Sequence, residues 1–99
     1  MNLKKGDILY MTNFLIKGNS GIKSHMPRKQ SIGDKYFILE IQKNTINYRS
    51  DRIKESVLLT RYNTNTIADR CRIEIEHIGL YFEDKNNRAK RIINEFESR

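Results

Sequence analysis

Three stretches of this chain set alternate residues on opposite faces, with the period of two that a half-buried strand requires, two more read as short strands, and the last stretch changes period. In "DILYMTNFLI" (Asp7–Ile16), Ile8, Tyr10, Thr12 and Phe14 share one face, and Leu9, Met11 and Leu15 the other. "KYFILEIQ" (Lys35–Gln42) sets Phe37, Leu39 and Ile41 against Glu40 and Gln42. "TINYR" and "ESVLLTRY" (Glu55–Tyr62) predict two further strands. "RCRIEIEHI" (Arg70–Ile78) has the cleanest alternation, with Cys71, Ile73, Ile75 and His77 inward and Arg72, Glu74 and Glu76 toward water. Near the end, Ala89, Ile92, Ile93 and Phe96 fall at the i, i+3, i+4, i+7 spacing of an amphipathic helix, with Asp84 as its N-cap.

Ninety-nine residues make one domain, residues 1–99, with one modest core. Five or so short strands and a helix over 84–98 predict a mainly β fold with a C-terminal helix. The expected form is a small SH3-like β-barrel, its sheet strongly bent and closed, with the Ile/Phe stripe of the helix plugging one end. A separate α+β layer is the runner-up. Between the first two strands runs "KGNSGIKSHMPRKQSIGDK", Lys17–Lys35, a long basic loop without apolar rhythm. Structureless loops longer than about 12–15 residues in a compact domain tend to carry function.

Charge sharpens that expectation. The net charge is +7, with 31% charged residues and only 37% hydrophobic ones. Lys17, Lys23, Arg28, Lys29 and Lys35 in the loop face a single acid, Asp34. A basic balance of this size points to polyphosphate, with RNA favoured, or to an acidic protein surface. One cysteine excludes an internal disulfide, and no apolar run reaches the ~20 residues of a membrane span. The expected setting is cytoplasmic, with no membrane partner and no cofactor. A composition rich in Ile, Asn and Lys and poor in Ala is that of an AT-rich genome, a phage or a low-GC bacterium.

Candidate chemistry concentrates in the loop and in the Arg/Tyr positions of the strands. His25, His77 and Cys71 lack ligand spacing, so no metal site is expected. Cys71 reads as a small buried hydrophobe. The glycines of "GNSG" (Gly18–Gly21) permit turns whose N–H groups, with Lys17 and Lys23, could cradle an anion. In "SHMPRK" (Ser24–Lys29), Pro27 stiffens the loop and presents Arg28 and Lys29 to a phosphate. His25 is the candidate general base, because a histidine side chain ordinarily changes charge near neutral pH. Tyr48 and Tyr62, beside Arg49 and Arg61, are the stacking candidates for single-stranded bases.

Taken together, "LKKGDILYMTNFLIKGNSGIKSHMPR" and "YFILEIQKN" resemble the opening of the MazF/PemK-type toxins. That resemblance implies a small SH3-like barrel with a terminal helix, commonly a homodimer, that acts as a metal-independent endoribonuclease on single-stranded RNA. It implies Arg28 and Thr60, the latter in "SVLLTR", as the chemical pair. Arg28 would stabilise charge on the phosphorane and Thr60 would bond a phosphate oxygen. The order here is Pro27-Arg28 where the family has Arg-Pro. A fainter resemblance, of "GNSGI" to KOW-type barrels, implies nucleic-acid or polymerase binding without chemistry. The competing expectation is a non-enzymatic phage or bacterial protein that modulates an acidic host surface.

Overall fold

A computed structural model describes residues 2–16, 27, 29–45, 53–62 and 69–98. Five strands form one antiparallel sheet: β1 (Ile8–Met11), β2 (Lys35–Thr45), β3 (Ile53–Arg61), β4 (Arg70–Glu74) and β5 (Phe82–Glu83). Helix α1 spans Lys85–Glu97. The strand order is β4-β3-β2-β1-β5. The sheet curls into a half-barrel whose edges, among the described residues, are β4 and β5, so the mainly β fold with a strongly bent sheet and a C-terminal helix is present.

Turn chemistry sets the entry to β1. Gly6 takes a φ of 89°, a region costly for any residue with a Cβ. The Asp7 carboxylate accepts from the Lys4 amide at 2.8 Å, and the Gly6 amide donates to the Ile38 carbonyl at 2.8 Å. At the far end of the long loop Gly33, φ 90°, donates its amide to the Met11 carbonyl at 2.7 Å. The Gln30 side chain holds the amide of Leu15 at 2.8 Å and its carbonyl at 3.3 Å. Leu15 is buried, so the two ends of the loop are clipped together beside the core.

The inward alternation places Leu9 and Met11 of β1, Val57 and Leu59 of β3, and Cys71 and Ile73 of β4 in one buried cluster. Strand β2 departs from the simple pattern. Ile38 pairs with Leu59 but Glu40 pairs with Leu58, so Leu39 is an extra residue in the ladder. Such a bulge reverses parity. Tyr36 and Ile38 therefore enter the core before it and Ile41 after it, while Phe37 and Leu39 are only half-buried.

Strand β4 is shorter than its alternation predicts. It stops at Glu74, and Ile75–Leu80 form a 3-10 helix. The reason is spacing: Ile75 and Ile78, three apart, both pack on the core, and side chains three apart align in a 3-10 helix. Glu74, expected in water, is buried. The 3-10 helix returns the chain to β1, where the Thr12 amide donates to the Tyr81 carbonyl at 2.7 Å.

Helix α1 starts where Asp84 predicts, with the Asn87 amide donating to Asp84 Oδ1 at 2.7 Å. Its packing is not the expected plug. None of its residues is buried. It meets the sheet through polar side chains instead: Arg91 Nη2 lies 2.6 Å from Glu83 Oε1, and the Arg88 guanidinium lies 4.4 Å from the Tyr10 ring centre. Among the described residues the buried cluster is built by the strands together with Leu15, Ile78 and Tyr81, and α1 contributes no residue to it.

Candidate nucleic-acid interface

In an antiparallel pair, directly opposed residues point to the same side of the sheet. Across β5, β1 and β2 this aligns Glu83, Tyr10 and Lys35. Tyr62 extends the row from the end of β3, its amide donating to the Lys35 carbonyl at 2.9 Å. Two of these positions carry aromatic rings, and each ring has a cation on it. Arg88 covers Tyr10, which is almost enclosed, and Lys35 Nζ stands 5.6 Å from the centre of the Tyr62 ring. Tyr62 is 46% exposed, so much of its ring remains accessible. A cation over one part of an exposed ring favours a planar, electron-rich or anionic ligand beside it.

Arg61, next in the chain, belongs to the other side of the sheet. It opposes Tyr36, and its Nη2 lies 3.2 Å from Asp34 Oδ2. Part of its charge is thus matched by the one acid of the loop. Lys29 is exposed, and it immediately precedes the Gln30 clip. Pro27 itself is buried.

Thr60 opposes Phe37 on one neighbouring strand and Arg70 on the other, and it has no exposed surface. A phosphate could reach its hydroxyl only if the sheet opened. Lys17, Lys23, His25, Arg28, Tyr48 and Arg49 lie outside the described residues, as do the glycines of "GNSG" and most of "TINYR".

Two polar clusters had no clear signature in the sequence. Arg72 opposes Leu58 and reaches past it, donating to Gln42 Oε1 at 2.6 Å, Ser56 Oγ at 3.2 Å and Glu40 Oε1 at 3.0 Å. Arg72 and these partners come from three strands and share one face only because the Leu39 bulge shifts β2. The second cluster is Glu74, Glu76 and His77, whose ligand atoms lie within 4.8 Å of one another. His77 Nε2 is 3.4 Å from Glu74 Oε2. The visible signal was the run "EIEH", which alternation assigns to opposite faces and the 3-10 turn gathers onto one. The three groups could ligate a small cation.

Burial perturbs two acids of the core. The Cys71 thiol is pushed up to about 12 by loss of hydration. Burial also raises the Tyr36 phenol above its usual range, and a neighbouring negative charge on Cys71 would raise it further. Neither group is a nucleophile at neutral pH.

Among the described residues no helix is long and apolar enough to cross a membrane. No known protein family, curated protein or solved structure matches the chain.

Proposed function

We propose that this protein binds single-stranded nucleic acid, RNA in the first place, on the sheet face that carries Tyr10, Lys35 and Tyr62. The observation that carries the reading is the half-exposed Tyr62 ring with the Lys35 ammonium over it, at the end of a cross-strand row. Bases stack on such rings whatever their identity, and the adjacent cation suits the phosphate that follows each base. The net charge of +7 supplies long-range attraction. Binding without cleavage is the form of the proposal. The resemblance to the toxins would add a ribonuclease step through Thr60, and Thr60 is enclosed.

Fluorescence anisotropy with a labelled mixed-sequence single-stranded RNA at low salt tests this. Wild type should bind, with affinity falling as salt rises. Tyr62→Ala should weaken binding about 5- to 150-fold, the effect of removing one stacked base, and Tyr62→Phe should largely retain it. Equal affinity of wild type and Tyr62→Ala would end the proposal. So would tighter binding of a polyaspartate peptide than of RNA, which would favour an acidic protein as the partner. Electrophoresis of the RNA after incubation reports cleavage directly.

A further inference from the structure

The apolar stripe of α1 is left over by the fold. Ile92 is 45% exposed, Ile93 54% and Phe96 75%, on a helix with no buried residue. The helix leans on the sheet by its polar edge, Arg88 and Arg91. Beside the N-terminal half of the stripe lies a groove of about 350 Å³ lined by Tyr10, Lys85, Arg88, Ala89, Ile92 and Ile93. The C-terminal half carries the protruding Phe96. A hole at one end of a helix and a knob at the other are complementary to themselves when two copies run antiparallel.

We propose that the protein forms a two-fold dimer through α1, the helices antiparallel and crossing near Ile92 and Ile93, with Phe96 of each copy seated in the groove beside Ala89 of the other. The charges agree with this register. At 100° per residue, Arg88 and Glu95 border the stripe on one side and Lys90 and Glu97 on the other. Antiparallel pairing about a point between residues 92 and 93 sets Lys90 against Glu97 of the partner subunit, and brings Glu95 of the partner subunit, which its own Arg91 also bonds, toward the Arg88 that lies on Tyr10. Each flank is cationic toward the N-terminus and anionic toward the C-terminus, so it repels a parallel copy and attracts an antiparallel one. An isologous interface needs this self-complementarity. A membrane surface would instead favour uniformly basic flanks.

The contact is small. The exposed parts of the two isoleucines and the phenylalanine amount to roughly 300–350 Å² per copy, to which the stems of the flanking charged residues add. The sum falls at the low end of specific interfaces, where association is weak and reversible, so a Kd of about 10–100 μM is expected.

Sedimentation velocity of the full chain over about 5–500 μM should show a concentration-dependent monomer–dimer equilibrium in that range. Phe96→Ala should raise Kd about 30-fold, the loss expected of a seated aromatic anchor. Lys90→Glu and Glu97→Lys should each weaken self-association, and an equimolar mixture of the two should restore it, because only the mixed dimer pairs opposite charges on both copies of that flank. These positions are exposed, and far-UV circular dichroism on each variant checks that it remains folded. A wild type that stays monomeric at the highest concentration overturns the proposal, including one that instead binds anionic vesicles. A dimer unaffected by Phe96→Ala, or a mixture that gains nothing over its components, overturns it too.

Discussion

Replacing Tyr36 by Phe should stabilise this protein, the reverse of the usual result for a buried tyrosine. Tyr36 is fully buried, and its hydroxyl is enclosed without a hydrogen-bond partner among the described residues. A hydroxyl stripped of water and left unpaired costs about 1–3 kcal/mol. Phenylalanine removes that cost and keeps the ring, whose edge-on packing against Phe82 has a centroid separation of 5.1 Å and an interplanar angle of 69°. Against the gain stands a void one oxygen atom in size, whose lining forgoes dispersion attraction of about 0.1–0.2 kcal/mol for each of a few atom pairs. The net expectation is a gain of about 1 kcal/mol, or a rise of roughly 4–8 °C in Tm for a domain of this length. Urea unfolding followed by circular dichroism measures it, and the m value should not change, because the surface exposed on unfolding is nearly the same. A loss of stability on this substitution would refute the reasoning. It would mean that the hydroxyl bonds a neighbour, and the charged side chains around it, Arg61, Asp34 and Asp69, are the groups to examine.

Alkali should destabilise the fold through the same pocket. Cys71 and Tyr36 keep their protons in the folded state above the pH at which the unfolded chain releases them, about 8.5 for the thiol and 10 for the phenol. The unfolded chain then binds fewer protons, so stability is complete below about pH 8.5, falls by up to about 1.4 kcal/mol per pH unit above it and falls faster above pH 10. Urea midpoints measured in steps from pH 8 to 11 check this, and Cys71→Ala should remove the first part of the slope. Asp84→Ala removes the N-cap of α1 at a cost of about 0.5–2 kcal/mol to that helix. Because none of α1's own residues is buried and its contact with the sheet is the Arg88–Tyr10 and Arg91–Glu83 pair, ellipticity at 222 nm should drop while the urea midpoint of the sheet changes little.

The strands were readable wherever one rule governed a whole segment. Leu9, Met11, Cys71 and Ile73 alternate inward as the sequence implies, and the Asp84 cap stands where its local chemistry requires. Legibility failed where a single residue changed the rule. Leu39 reverses the parity of β2, and an alternation has no mark for one additional residue. The period-two run ending in "EIEHI" also fits a three-residue spacing, and only the return of Tyr81 to β1 decides between them. The helix was predicted by its stripe, but a stripe states what should be covered and not by what. For the interface, Tyr62 and its cation were half legible: Arg61, its neighbour in the chain, looked like the partner. The strand pleat turns Arg61 to Asp34 and brings Lys35, from another strand, over the ring.

The polar attachment of α1 has a consequence for how this chain can change over generations. Substitutions on the helix's outward side leave every core neighbour in place, so they are filtered by whatever touches that side and not by the demands of folding. The scaffold and its handle can therefore drift under separate pressures, and a lineage could exchange one binding specificity for another there without first having to rebuild its interior.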